Sequence, residues 1–456
     1  MKKKSYFVML LALACFTQSC KDDVEELNSS TESVKSAAAE NLNLRALFSE
    51  SHVISVSEAS EIALNAPDMF ASESTRANDL NPRIIESIGV YGRPKSSLRS
   101  ANVSEDSLIY VFNYADNRGF AIVAADDRIP TPILAYVDEG SLENDVDNPT
   151  LLYALEQMQS YVETSVDDFE QSKDSLLAVA DEYTFVVDDN AAETRAINMG
   201  TTITTVSENT VGPLIKVTWG QNYPYNMFVP KACTDNGSNG GKAPAGCVAT
   251  ATAQVMSYWK WPNTIDWNAV CATKEATTSN QNTIASLMYA IGQVVGMDYD
   301  CDGSGAQTSD AYKMLGNLGY KKLVSKSFAS NDALTVLKAN VPILVSGCRS
   351  KKTTSILWWD KTTYSNCHAW VVDGCKEVRY KIENYRVDTS TGERTSTISY
   401  TNVWYFHNNW GWSGSGNGYF AAGCFDLTNA LSYDNGVRYS AARNYQYNNK
   451  MFVVYR

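Results

Sequence analysis

The chain has 456 residues, which is more than one domain normally holds, and a formal net charge of −13. The charge is divided unevenly, because residues 21–200 hold 34 acidic against 12 basic side chains and residues 201–456 hold 17 against 23. We therefore expect two units that attract one another, although two unrelated domains with ordinary surfaces would give the same counts. The basic excess is small and not arranged in runs, so no nucleic-acid partner is expected.

The first twenty residues have the pattern of an export signal. Three lysines at positions 2–4 precede an apolar stretch over 6–16 that is too short to cross a bilayer. Cys20 follows a small residue, as in bacterial lipoprotein signals, so we predict a signal peptide over 1–20, lipidation of Cys20 and a polar tether over 21–50. An ordinary secretory signal is the alternative. Either signal predicts an exported protein. It would be a lipoprotein of the outer membrane or cell surface, or it would be secreted after processing.

Residues 51–188 are predicted to form the first unit. A capping-box spacing starts a short helix near residue 55, and an apolar stripe predicts a second helix over 150–178. Residues 66–104 are predicted to be mostly loop. Apolar runs on either side of a turn predict a hairpin, and a third strand follows it. These strands are expected over 108–114, 119–125 and 133–137.

Residues 205–456 are predicted to form the second unit, after a polar linker over 189–204 that proteases can reach near Arg195. Its first part contains a helix that begins at Cys247, where apolar residues recur at three- and four-residue spacing, and another around 283–296. Helices first and strands later predict an α+β fold. The later strands are expected over 341–346, 369–373, 378–382, 398–407, 418–422 and 451–455.

Cys247 is placed where a thiol can become a nucleophile. The loop before it turns sharply at Ala245 and Gly246, and the cysteine is the first residue of the predicted helix. The unpaired N–H groups and the positive end of the helix dipole at this position favour the thiolate. Gly246 leaves room for a substrate backbone. A small buried cysteine in a core helix is the alternative that the local sequence leaves open.

Three further stretches carry the groups that a thiolate hydrolase requires: a base for the thiol proton, a group that orients this base, and donors for the oxyanion. Of the three histidines, His368 opens an apolar strand between small neighbours and is the candidate base, with a purely structural histidine as the alternative. Asn409 can accept from an imidazole ring, and Trp410 beside it can shield that hydrogen bond from water. Gln221 can donate to an oxyanion.

Together these stretches resemble the streptopain family of cysteine proteases, within the papain-like superfamily. The resemblance spans about 206–456 and implies a papain-like fold with a helical part and an antiparallel β part. It is carried by Trp219-Gly220-Gln221-Asn222, Gly246-Cys247-Val248-Ala249, His368-Ala369 with Asp373-Gly374, and Asn409-Trp410-Gly411-Trp412. The family implies Cys247 as nucleophile, His368 as general base and then acid, Asn409 as orienting residue, Gln221 as oxyanion donor and Trp410 as shield.

The first unit resembles the pro-domain of the same family, most clearly over 119–128. The resemblance implies a zymogen, in which a smaller α+β pro-domain over 51–188 blocks the cleft until the linker is cut. The second unit departs from the family in an added hairpin over 376–402, a longer connection over 348–366, and Ser346 in place of a substrate-contacting glutamine. The substrate preference of the family is therefore not carried over.

The sequence and the resemblance together predict an exported cysteine endopeptidase that hydrolyses proteins or peptides and needs no cofactor. Its other partners are its own pro-domain, as an intramolecular inhibitor, and the membrane where Cys20 carries a lipid. Cys367 and His368 point to opposite faces of one strand, so no metal site is expected. Two alternatives remain open, namely a catalytically idle binding module of the same fold and an amidase or transpeptidase that acts on cell-wall peptides.

Overall fold

The structure is a computed structural model. It describes residues 46–47, 51–70, 82–92, 99–100, 107–129, 131–142, 149–183, 197–234, 239–356, 359–388, 391–424 and 447–456. The predicted signal peptide, Cys20, nearly all of the tether and Arg195 lie outside these residues. In the described ranges, each helix is too short or too polar to span a bilayer.

The described part of the first unit contains two long helices and an antiparallel sheet. Helix α1 (Val56–Phe70) begins where the Glu58 N–H donates to Ser55 Oγ at 3.2 Å, and α2 (Pro149–Tyr183) contains the second predicted helix. The strands are β1 (Ile85–Gly92), β2 (Arg99–Ser100), β3 (Ser107–Tyr114), β4 (Phe120–Ala124) and β5 (Ile133–Val137). The three predicted strands are confirmed as β3, β4 and β5. β1 lies where mostly loop is predicted, because its two glycines weaken the strand pattern and only its pairing with β3 selects it.

The helices of the second unit precede most of its strands. They are α3 (Cys247–Trp259), α4 (Trp267–Val270), α5 (Gln281–Val294), α6 (Thr308–Asn317) and α7 (Ser330–Lys338). Helices α3 and α5 confirm the two predictions. Helix α3 is buried from Cys247 to Ser257, and it ends at Lys260, whose left-handed conformation stops it before Pro262.

The strands of the second unit pair antiparallel, which confirms the predicted α+β class. They are β6 (Ile197–Val211), β7 (Lys321–Ser327), β8 (Ile343–Ile356), β9 (Trp359–Asp388), β10 (Arg394–Asn409), β11 (Gly418–Ala421) and β12 (Tyr447–Tyr455). The predicted strands at 369–373 and 378–382 are parts of β9, and the predicted hairpin over 376–402 is formed by β9 and β10.

The second half of the predicted linker over 189–204 is a strand, since β6 begins at Ile197, and the first half lies outside the described residues. This strand pairs with the second half of β9, from Ile197 opposite Asp388 to Val211 opposite Cys375. Residues 197–204 mix three apolar residues with threonine, asparagine and glycine, so they contain no apolar run that would reveal a strand. Pairing with β9 selects the strand, because it satisfies the backbone N–H and C=O groups that face β9.

The two units share one sheet. Strand β5 of the first unit pairs with β11 of the second, with Tyr136 opposite Tyr419 and Ala135 opposite Phe420. The ring of Phe70, at the end of α1, lies 4.8 Å from that of Tyr405 and 5.5 Å from that of Tyr419. The first unit is therefore docked by strand pairing and by aromatic packing at the same place.

Candidate active site

Cys247 opens α3, as the sequence predicts. Gly246 before it has a φ of 94°, and a Cβ there would lie 2.7 Å from the Met297 side chain, so glycine is required at this turn. The Cys247 thiol is not disulfide-bonded and is buried. Burial raises its pKa, although the N–H groups of Ala369, Val248 and Cys247 itself lower it in part. In the full-length chain the buried thiol is therefore neutral at pH 7.

His368 lies on β9 between aromatic side chains. Its Nε2 donates to the Trp410 carbonyl at 3.1 Å, so the neutral ring carries its hydrogen on Nε2 and leaves the Nδ1 lone pair available. The indoles of Trp370 and Trp412 lie nearly parallel to the ring, with centroids at 6.3 and 6.4 Å. Burial lowers the pKa of His368 to about 4, while the Trp410 carbonyl partly offsets this shift.

The fold brings the thiol to the strand that carries the imidazole. The backbone N–H of Ala369, the residue after His368, is directed at the Cys247 sulfur. Among the described residues, no direct hydrogen bond joins the sulfur to the His368 ring. Because burial disfavours the charged form of each group, the structure holds a neutral thiol beside a neutral imidazole rather than an ion pair.

The Asn409 side chain does not make the predicted hydrogen bond with the His368 ring. Its side-chain oxygen accepts from Gln254 Nε2 of α3 at 2.9 Å, and its Nδ2 donates to the Val217 carbonyl at 2.9 Å. The oxygen that holds the His368 ring is instead the backbone carbonyl of Trp410. Asn409 therefore ties α3 to the segment that leads to Gln221, and this link is not visible in the sequence motif.

The side chain of Trp410 is not the one that lies over the His368 ring. It is fully buried, its Nε1 donates to the Gly416 carbonyl at 2.8 Å, and its ring packs on Trp370 and Phe420. Of the two tryptophans in the motif, Trp412 is the one whose ring lies nearly parallel to the imidazole. The motif places tryptophans at the histidine, but the direction in which each one points depends on the turn after β10.

Gln221 lies beside the turn that presents Cys247. Its backbone carbonyl accepts from the Ala245 N–H at 2.8 Å, and Thr250 Oγ1 of α3 donates to the Gly220 carbonyl at 3.2 Å. The Gln221 Nε2 is buried without a hydrogen-bond partner among the described residues. A buried amide donor costs free energy unless something accepts from it, so this group is ready to bind an oxygen of a ligand.

Two disulfides account for four of the cysteines outside the signal. Cys233 is bonded to Cys301, and Cys348 is bonded to Cys367, which precedes His368. The second disulfide leaves Cys367 without a thiolate for a metal ion. Groups of three or more candidate metal ligands are absent from the described part of the chain.

The site combines a thiol at the start of a helix, an adjacent strand that carries an imidazole, and a buried amide without a partner. A thiol hydrolase requires these three elements. Comparison with known proteins supports this class. Residues 219–265 and 263–420 match the Peptidase C10 family, and residues 51–162 match the Spi protease inhibitor family. The chain is thus a streptopain-like cysteine peptidase with an inhibitor-like domain before it.

Two relatives show how far this similarity extends. Streptopain of Streptococcus pyogenes is 24% identical over 353 residues, which cover 69% of this chain and 73% of streptopain. The thiol protease/hemagglutinin PrtT of Porphyromonas gingivalis is 28% identical over 158 residues, which cover 35% of this chain. That match spans only 16% of the length of PrtT, so it concerns one part of a much longer protein.

Proposed function

We propose that this protein is an exported cysteine endopeptidase, made as a zymogen, that cleaves proteins with Cys247 as nucleophile and His368 as base. The observation that carries the proposal is the buried, unpartnered Gln221 Nε2 next to the turn that presents Cys247. An idle binding module has no use for such a donor, whereas an acyl-transfer site needs one for the oxyanion.

In the proposed reaction, His368 Nδ1 takes the thiol proton and the Cys247 sulfur attacks the peptide carbonyl. The carbonyl oxygen becomes an oxyanion that accepts from Gln221 Nε2 and from the Cys247 N–H. The imidazolium then gives its proton to the leaving amine, and an acyl-enzyme remains. Water, deprotonated by His368, attacks this thioester; the acid leaves and the thiol is restored.

The inhibitor-like domain supports the zymogen part of the proposal. Leu151 of α2 packs against Gly416, and the Gly416 carbonyl accepts from Trp410, whose own carbonyl holds His368. The first unit thus contacts the turn that positions the base. We infer that this contact restrains the turn that holds His368 until the first unit leaves.

Export, and anchoring of the protein through a lipid on Cys20, remain part of the proposal. The support is the sequence of the first twenty residues, with its lysines, apolar stretch and cysteine. Growth with a labelled fatty acid is expected to label the wild-type protein and not Cys20→Ala. Label on both proteins would contradict the anchor without touching the peptidase assignment.

The test of the peptidase assignment compares the full-length wild type with Cys247→Ala. The wild type is expected to shorten itself and then degrade casein, while the variant stays at full length and inactive. Cys271→Ala is a matched control, because this thiol is also free but lies outside the site, and it should behave as wild type. Equal maturation or equal caseinolysis by Cys247→Ala would contradict the assignment.

A further inference from the structure

A fully buried carboxylate lies on the same strand as His368, five residues further along. Asp373 is a bulge in β9, because His407 of β10 opposes Gly374 and the next residue, Asn408, opposes Val372. On the other side of β9, its pairing with β8 ends at Val372 and its pairing with β6 begins at Cys375. A bulge re-aims the side chain of its extra residue, and here the carboxylate points into the protein.

Both oxygens of this carboxylate are used. Oδ1 accepts from His407 Nδ1 at 2.6 Å, and Oδ2 accepts from the backbone N–H of Ile215 at 3.0 Å. The Asp373 backbone carbonyl also accepts from the Leu214 N–H at 2.8 Å. Hydrogen bonds to a buried charge are strong and directional, so Asp373 fixes residues 214 and 215 against β9.

The segment that Asp373 holds leads directly to Gln221. Its middle is fastened by Asn409 at the Val217 carbonyl, and its end by Gln254 Nε2, which donates to the Trp219 carbonyl at 3.1 Å. Asp373 fastens its start to the strand that carries His368. One residue therefore links the strand of the base to the segment of the oxyanion donor.

We propose that Asp373, braced by His407, is a positioning residue that holds the Gln221 amide in register with the base. The proposal rests on the proposed function, because it assigns Asp373 a part in the same reaction. Asp373 touches no reacting atom. Its effect should therefore appear in the step that forms the oxyanion, and not in the reactivity of the thiol.

The experiment uses the full-length chain, activated by one fixed trypsin treatment, and two readouts on each variant. The first is kcat and KM on a peptide substrate, with active sites titrated. The second is the rate at which iodoacetamide alkylates Cys247, which depends on the thiol and its base and needs no oxyanion donor. Gln221→Ala serves as the reference for a lost donor, with an expected fall in kcat of about 100- to 1,000-fold.

Asp373→Ala is expected to lower kcat about 10- to 100-fold, since a small misplacement of a catalytic group costs up to about 100-fold. KM and the alkylation rate should stay within about twofold of wild type, because ground-state binding and the thiol are untouched. Asp373→Asn should restore most of kcat, because its amide can accept from Ile215 and donate to His407 Nδ1.

The matched control is Glu208→Gln, which removes a carboxylate that ties β6 to β9. Glu208 lies on β6, before the segment that leads to Gln221 begins, and pairs with Lys376 at 2.7 Å. Its kcat should equal that of wild type. If Asp373→Ala does not fold, His407→Ala tests the same hydrogen bond between Asp373 and His407. We then expect a smaller fall in kcat and an unchanged alkylation rate.

An unchanged kcat in the folded alanine variant of Asp373, or of His407 where it stands in, would overturn the inference. A parallel loss of kcat and alkylation would also overturn it, because the effect would then lie at the thiol or its base. A wild type that hydrolyses no peptide after activation would instead remove the proposed function itself. The two failures are thus distinguishable in one data set.

Discussion

At the scale of single residues, the sequence places the chemical groups well but not their contacts. Gln221 and the strand that carries His368 both lie at the turn that presents Cys247. The imidazole, however, donates its hydrogen bond to the Trp410 carbonyl and not to Asn409. Either oxygen can accept from a ring N–H, and the sequence does not say which of two neighbouring acceptors faces the ring.

Because His368 is buried, the free energy of unfolding of the zymogen depends on pH in the acid range. Its pKa is lowered from 6.5 to about 4 in the folded chain, so above pH 6.5 the ring is neutral whether the chain is folded or not. As the pH falls from 6.5 toward 4, the unfolded chain binds a proton that the folded chain does not. The free energy of unfolding then decreases, by up to about 1.4 kcal/mol per pH unit for this group.

Urea unfolding measures this term in the full-length Cys247→Ala chain, which is expected not to mature. His368→Asn in the same background lacks the titrating ring, so its stability should fall less steeply between about pH 6.5 and pH 4. All other groups are common to the two proteins and cancel. Identical slopes in both proteins would contradict the burial-driven shift.

At the scale of elements, strands with their own apolar pattern are predictable, and strands selected by a partner are not. The hairpin of β3 and β4, and β5 beside it, follow from their apolar runs. By contrast, the apolar residues of β6 are scattered among polar ones and β7 is exposed along its whole length, so neither contains an apolar run. Their positions depend on pairing with β9 and β12, which local sequence does not encode.

The pairing of β6 predicts which part of the linker survives maturation. Its backbone is hydrogen-bonded to β9 along its length, and Glu208 on it pairs with Lys376, which is only 2% exposed. A chain held in a sheet cannot enter the cleft of another protease in extended form. We therefore expect the mature chain to begin before Ile197 and to keep β6.

Mass spectrometry of the N-terminus of the active form checks this prediction. Hydrogen exchange on the same sample should show residues 197–211 protected to the same degree before and after the cut. An active form that begins after Val211 would contradict the structural role given to β6.

At the scale of the whole molecule, the two units are held by strand pairing and apolar packing more than by their opposite charges. The ion pair between Lys274 and Glu139 spans 3.7 Å, and both side chains are mostly exposed, so it contributes little. The pairing of β5 with β11 and the packing of Phe70 are buried instead. Opposite charges then assist the approach of the units more than their final stability.

We expect the largest effect on docking of the two units from a substitution at Phe70. Phe70→Ala removes the ring that packs on Tyr405 and Tyr419 of the second unit and on Tyr136 of the first. The cost of about 3–5 kcal/mol for losing a buried Phe ring is therefore shared between docking and the fold of the first unit. The variant should therefore mature faster than wild type, as followed by electrophoresis over time. Leu64→Ala is the matched control, because Leu64 lies on the same helix but is 43% exposed. Equal rates for all three proteins would show that this contact does not hold the zymogen.

We propose that folding turns one thiol among several into a nucleophile. Among the described residues, four cysteines are not disulfide-bonded, namely Cys247, Cys271, Cys375 and Cys424. The direct measurement is peptide mapping of the activated protein after one equivalent of an epoxysuccinyl inhibitor. We expect label on Cys247 alone, and loss of that label in His368→Ala. Label spread over the other cysteines, or an unchanged rate at Cys247 without His368, would contradict it.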